Sequence, residues 1–563
     1  MSSTRLIMCA SLLVASTAAG QAPYDLVIEG GRIIDGTGAA WFLGDLAIQG
    51  DRIVRVTPHG VLARAAARER ISAAGLVVAP GFIDIQGQSD FALTVGDGRV
   101  ISKVTQGITT EILGEGGTPA PTNRNTNPRG PWGGRADLDF SGTHGFGDWL
   151  RAMERHGNSV NVGSFLGAST IRVYAKGEAQ GTPTAAELDT MRAVVRRAME
   201  DGAFGIASAL IYPPGNYAGT DELIELMRAM APFGGIYITH MRSEGNAWLE
   251  AIAEAIRIGK DGGVPVEIYH LKAGGTRNWP KTALAIARID SARLRGVDVQ
   301  ANMYTYTAGS TGLSACIPPW ASADGRLYQN LNDPATRRRI AADMLRVQSE
   351  WENLCELGGP DNVLLVSFSR GENARFQGRR LSEVARAMGK SWEETAIDLL
   401  IADSTRVGTV FFLMSEENVR TKLRLPWMKF GTDASGHDPA ASQGLTHPRS
   451  YGNYTRLLGR YVREEQVLTL EEAIRKSTSA VATRLSIEGR GLLKEGFYAD
   501  VTIFDPSTVI DRATFEQPHQ LSVGIRHVLV NGTFVLRDGA HTGAKPGRAL
   551  RGPGSLARRG PAD

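Results

Sequence analysis

Apolar and polar positions alternate with a short period at both ends of the chain and with a longer one between them. Near the start, Leu26-Val27-Ile28 and Arg32-Ile33-Ile34 flank Gly30-Gly31. Leu46-Ala47-Ile48 and Ile53-Val54-Arg55-Val56 flank Gly50-Asp51 in the same way. Near the end, Ala499-Asp500-Val501-Thr502-Ile503-Phe504 precedes the runs His527-Val528-Leu529-Val530 and Thr533-Phe534-Val535, which flank Asn531-Gly532. Apolar runs separated by two-residue glycine turns predict β-hairpins. Short strands at both termini predict one small β-sandwich domain, assembled from residues 23–75 and 486–552.

Residues 76–485 behave differently. Apolar runs ending near Asp84, Leu113, Leu166, Leu210, His240, His270, Asn302 and Asp433 read as strands. Helical periodicity fills the intervals, for example Ala185 to Glu200, Asp221 to Ala231 and Asn246 to Ile258. Eight such units close into a (β/α)₈ barrel more readily than they form an open sheet, so the fold class is α/β with a TIM-like barrel. Spacing is regular as far as Asn302, and a long stretch then precedes Asp433. An insertion is expected there, around residues 310–400, with helix-like segments at Thr336 to Leu345 and Ser382 to Ala387. No repeat of fixed period is present.

Composition narrows the function. With 563 residues, 42% hydrophobic and 21% charged, the chain has ample material for a large globular core. A net charge of +3 with no dense Lys/Arg patch argues against a nucleic-acid partner and leaves a small molecule as the expected one. Arg5 precedes an apolar stretch, Leu6 to Ala19, which small residues follow at Ala18-Ala19-Gly20-Gln21-Ala22. The stretch falls short of the ~18 apolar residues that span a bilayer. Residues 1–22 therefore read as a secretory signal peptide cleaved after Gly20 or Ala22, with export to a periplasm or beyond and no membrane attachment afterwards. Cys9 lies inside the apolar stretch, not at the cleavage point. Cys316 and Cys355 remain after cleavage; an exported compartment permits their pairing, and two free buried thiols fit the sequence equally well. Residues 553–563 form a C-terminal tail.

In a barrel of this kind, reacting groups lie at the C-terminal ends of strands. His240 ends the run Ile236-Tyr237-Ile238-Thr239-His240, His270 ends Val264-Pro265-Val266-Glu267-Ile268-Tyr269-His270, and Asp433 ends Met428-Lys429-Phe430-Gly431-Thr432-Asp433. Two imidazoles and a carboxylate at three strand ends suit a zinc-and-base set. His447 and His437 lie in loops where a histidine needs no special role. His144, His156, His519 and His527 read as surface or packing residues. Gln86 and Gln88, after Gly81-Phe82-Ile83-Asp84, point to one face of a strand by alternation.

Gly81-Phe82-Ile83-Asp84, Thr239-His240-Met241-Arg242, Gly431-Thr432-Asp433 and His447-Pro448-Arg449-Ser450-Tyr451-Gly452 resemble the N-acyl-D-amino-acid deacylases of the amidohydrolase superfamily. Tyr212-Pro213-Pro214-Gly215-Asn216-Tyr217-Ala218 and Tyr304-Thr305-Tyr306-Thr307-Ala308-Gly309-Ser310 extend the resemblance, which runs from about residue 24 to 552. It implies a barrel beside a β-sandwich and one tightly held zinc ion, bound by a Cys and two His. The two His map onto His240 and His270, whereas the Cys position carries Gly116 and a His-x-His position carries Gln86 and Gln88.

Glu115, one residue from the missing thiolate, is the natural replacement, because a carboxylate serves zinc alongside two imidazoles and leaves one position open for water. A pairing with an Arg, or a metal-free glycine-lined turn, is the alternative reading. Glu111 is a lesser ligand candidate. A carboxamide is a poor zinc ligand, so one metal or none is expected, with Gln86 and Gln88 free to hydrogen-bond water or substrate. Asp433 is expected to act as general base and then acid. The resemblance also implies a substrate carboxylate, which Arg449 would grip, with Tyr212, Tyr304 and Ser310 lining the pocket. Linear-amide hydrolysis is the leading function. Opening of a cyclic amide such as a hydantoin, and a metal-free barrel that only binds ligand, are the competing ones.

Overall fold

Eight short strands run parallel around a closed ring in the computed structural model, which describes residues 24–127, 130, 135–404 and 406–555. They are Phe82–Asp84, Ile108–Leu113, Asn161–Ser164 continued by Leu166–Gly167, Gly205–Ala209, Ile236–His240, Val266–Ile268, Val299–Met303 and Met428–Phe430. Beyond the strand ends, a parallel bridge between Gly87 and Ala434 joins the last strand to the first. Helices such as Ala185–Asp201, Thr220–Met230 and Trp248–Gly262 cover the outside, so nearly every strand residue is buried on both faces. The expected (β/α)₈ barrel is therefore present. The expected signal peptide, residues 1–22, and the tail from 556 onward lie outside the described residues.

The two chain ends meet in one nine-stranded sheet, where Leu26, Ile48, Val501 and Leu529 share a core. Two details differ from the sequence reading. Gly30-Gly31 is not a hairpin turn. Tyr24–Ile33 is one strand pairing along Phe42–Gln49 with a bulge between Ile28 and Gly31, and Gly30 supplies the positive φ of +69° that the bulge requires. Val77–Pro80 also belongs to this sheet, pairing with Val501–Phe504, so the barrel begins at Gly81 and not at 76.

The insertion runs further than the expected 310–400. Its first strand, Ala308–Gly312, pairs antiparallel with its last, Gly408–Phe412, and Val363–Ser367 completes the sheet. Helices Pro334–Met344, Leu381–Met388 and Trp392–Asp403 pack around a separate core that includes Leu313, Ile340 and Phe411. Cys316 and Cys355 form a disulfide within it, Cα to Cα 5.3 Å, which settles the choice between paired and free thiols.

Candidate active site

The barrel's C-terminal rim and the insertion enclose a cavity of about 590 Å³. Glu115, His240, His270 and Asp433 all line it, as do Gln88, Tyr212, Tyr304 and Ser310. His240 ends its strand as expected, but His270 stands two residues beyond Val266–Ile268 and Asp433 three beyond Met428–Phe430. Both sit in the left-handed region, at φ +32° and +49°. Such backbone costs roughly 1–3 kcal/mol per residue and persists where the surroundings impose it, often at functional sites.

Glu115 enters from the turn after Ile108–Leu113, between Gly114 at φ +107° and Gly116 at φ +73°. A Cβ on Gly116 would fall 2.6 Å from the Ala209 Cβ, so this turn has no room for a side chain at 116 and delivers the one at 115 instead. Glu115 Oε1 lies 3.1 Å from His240 Nδ1 and 3.2 Å from His270 Nε2. The edges of a tetrahedron with metal bonds of 2.0–2.1 Å are about 3.3 Å long, so this spacing fits a zinc-sized cation. One ligand atom from each of the three residues lies within 4.8 Å of the others. The donor set, one carboxylate and two imidazoles, also suits such an ion.

Glu244, which the sequence reading missed, stands behind both rings. Its Oε1 is 2.8 Å from His270 Nδ1 and its Oε2 3.5 Å from His240 Nε2. Lys272, also missed, pairs with Glu244 at 2.7 Å. A carboxylate behind a ligating imidazole fixes its tautomer and orientation. Glu352 reaches in from the insertion to accept hydrogen bonds from the Gly245 N–H at 2.9 Å and the Ser243 hydroxyl at 3.1 Å, bracing the loop that carries Glu244.

The charges follow from this crowding. Burial opposes ionisation of Glu115, but His240 and His270 outweigh it and hold the carboxyl well below its usual range. Burial and the Lys272 ammonium work against charge on His270, yet Glu244 and Glu115 push it up to about 9. Burial, joined by the His270 and Lys272 charges, lowers His240 against the pull of Glu244 and Glu115. Asp433 is pushed up to about 6 by burial and by the Glu115 charge, against the pull of Arg449. Burial and Glu244 raise Glu352 to about 7.

Three expected roles need correction. Arg449 does not line the cavity; it is 4% exposed, paired with Asp433 Oδ2 at 2.7 Å and laid over the Tyr304 ring, so in this structure its guanidinium meets Asp433 and not the cavity. Gln86 is buried at 1% exposure, with its amide on Glu115, so it reaches neither water nor substrate in the cavity. Glu111 faces Lys103 at 3.0 Å and the Ser89 hydroxyl at 2.8 Å, away from the three ligand heads. Ser310 donates to the Thr409 carbonyl at 3.0 Å. The Tyr304 hydroxyl is buried with no hydrogen-bond partner among the described residues. His447 proves to be buried: its Nε2 lies 2.8 Å from the Ala308 carbonyl and its Nδ1 accepts from the Arg449 N–H at 3.0 Å, anchoring the loop that bears Arg449.

Known proteins share this architecture. A family model described as "Amidohydrolase family" matches residues 167–536. The chain is 34% identical over 533 residues to a D-aminoacylase of Alcaligenes xylosoxydans xylosoxydans, covering 94% of this chain and 98% of that one. It is also 34% identical over 540 residues to an N-acyl-D-glutamate deacylase of the same organism, with 95% and 98% covered. Among solved structures, an N-acyl-D-glutamate deacylase from Bordetella bronchiseptica, complexed with zinc and a phosphonate inhibitor, superposes with a TM-score of 0.76 at 31% identity. That match covers 94% of this chain and 100% of that one. Barrel, rim-borne site and near full-length similarity together make this chain a member of the amidohydrolase family.

Proposed function

We propose that the protein hydrolyses the C–N bond of an N-acyl-D-amino acid, or a related linear amide, with one zinc-like cation held by Glu115, His240 and His270. The observation that carries this reading is the convergence of those three heads within 4.8 Å in the wall of a cavity that also contains Asp433. The names of the two Alcaligenes relatives support the substrate class, and the zinc in the Bordetella structure supports the metal. A barrel that merely binds ligand would have no use for the carboxylate braced behind both imidazoles.

When bound, a divalent cation polarises a carbonyl oxygen and brings the pKa of water near neutrality. The remaining work belongs to the protein. Asp433, whose carboxyl burial pushes up to about 6, accepts the proton of the attacking water and returns it to the leaving nitrogen. Arg449 restrains one of its oxygens and the Gln88 amide donates to the other at 2.6 Å, so the carboxylate does not wander. Glu244 orients His270. The Lys272 ammonium, which also pairs with Glu244, and the unpartnered Tyr304 hydroxyl stand on the cavity wall as donors for a substrate carboxylate. Metal analysis of the purified protein tests the reading, together with a screen of N-acyl amino acids of both hands. About one zinc per chain is expected, lost in Glu115→Ala and His240→Ala, with hydrolysis of the D substrates. Equal metal in parent and variants, or no hydrolysis of either hand, would sink it.

The reading includes export. The apolar Leu6 to Ala19 stretch supports it, as does the Cys316–Cys355 disulfide, since such bonds persist in oxidising compartments. Mass spectrometry of the protein from a periplasmic fraction should find a chain beginning at Gln21 or Pro23. An intact Met1 terminus confined to the cytosol would contradict it.

A further inference from the structure

Gln86 and Gln88 direct their amide nitrogens at carboxylates. Gln86 Nε2 donates to Glu115 Oε2 at 2.7 Å. Gln88 Nε2 donates to that same oxygen at 3.0 Å and to Asp433 Oδ1 at 2.6 Å. The orientation of Gln88 is forced, because an amide oxygen facing two ionised carboxylates would have no proton to share. Two buried carboxylates drawn to one point would ordinarily repel each other or collect a cation. Here a neutral NH₂ group occupies that point.

The consequence for Glu115 is directional. Two donors occupy Oε2, so Oε1 is the oxygen turned towards His240 and His270. Asp433 is likewise tethered on both sides, by Gln88 and by Arg449. Gln86, buried and absent from the cavity wall, has no route to substrate; what its amide reaches is the carboxylate.

We propose that Gln86 and Gln88 form a positioning clamp that takes the place of a second cation. The clamp turns Glu115 so that one oxygen serves the metal, keeps Asp433 beside it as proton carrier, and limits the site to one ion. This rests on the one-cation reading above. Two variants of the full-length protein test it. Gln86→Met/Gln88→Met keeps side-chain volume and removes the donors, and Gln86→Met alone stands in if the pair does not fold. Gln88→Glu places a third carboxylate at the shared point.

Zinc affinity is read by competition with a chromogenic chelator, zinc stoichiometry by elemental analysis, and folding by melting temperature. The methionine variant should bind one zinc with a Kd raised 10–100-fold, the range for loss of groups that orient a metal ligand. Gln88→Glu should take up a second equivalent. A Kd within twofold of the parent's in the methionine variant, or a single equivalent in Gln88→Glu, overturns the clamp while leaving the one-cation reading intact. A parent chain that binds no zinc overturns both.

Discussion

The Glu244 carboxylate stands 2.8 Å from His270 Nδ1, on the side of the ring away from Glu115. Burial works against its charge, yet Lys272 and the two histidines keep its pKa low, so an anion backs the imidazole. A ring held this way presents a fixed nitrogen to a metal.

Glu244→Gln should therefore weaken zinc binding by about 10–100-fold while the barrel still folds. Chelator competition measures the affinity, and circular dichroism checks the fold. Unchanged affinity would mean that the contact serves packing alone.

Asp433→Asn keeps the shape of the side chain and loses its basicity. We expect metal content to hold and kcat to fall by about 10²–10⁴, the usual contribution of a positioned acid–base group. Full turnover would remove Asp433 from the chemistry. Arg449→Met should slow acidic substrates and their amides equally, because the guanidinium touches Asp433 and not the cavity. A loss confined to the acids would restore the gripping role.

Beneath the rim, Lys103 is fully buried between Asp84 Oδ2 at 2.7 Å and Glu111 Oε2 at 3.0 Å, and it donates to the Thr432 hydroxyl at 2.7 Å. Asp84 also accepts from the Thr432 N–H at 2.9 Å, so this cluster fastens the first barrel strand to the last. Lys103→Met leaves two carboxylates buried without their cation and should cost about 3–5 kcal/mol. Denaturant unfolding followed by fluorescence measures it; a change below ~1 kcal/mol would show that the pair is replaceable.

His437 donates its backbone N–H to the Ser102 hydroxyl, next to Lys103, at 2.9 Å, and its ring stacks on Tyr451 at 5.9 Å. Burial, with help from the Lys103 charge, lowers its pKa to about 4 from 6.5. Between those values the unfolded chain binds a proton that the folded chain refuses. Its contribution is thus present above pH 6.5 and lost as pH falls towards 4, on the order of 3 kcal/mol in all. His437→Gln should flatten the stability profile across that window relative to the parent. Parallel profiles would refute the assignment.

Much of the site was legible in order along the chain. Strand ends are places where alternation stops, and polar residues there stand out; His240, His270 and Asp433 were found that way, whereas Glu115 came from its place beside the Cys position that the family resemblance implies. What alternation could not show is which ends face one another. Gln88 and Asp433 are 345 residues apart, and Gln86 and Glu115 are 29 apart, so their hydrogen bonds exist only once the barrel closes. Lys272 and Glu244 did carry a signal, two residues after His270 and four after His240. Within loops, however, spacing gives no direction, so neither residue pointed to the site.

The amino-acid sequence by itself determined the barrel, the pairing of the two chain ends in one domain, and the strand ends that would carry polar heads, because periodicity and turn chemistry are local. Only the tertiary structure decided that Glu115 and not residue 116 faces the imidazoles, that Arg449 is spent on Asp433, and that two glutamines hold the carboxylates. Those outcomes depend on distances of about 3 Å between segments far apart in the chain, and on which polar group is buried beside which charge.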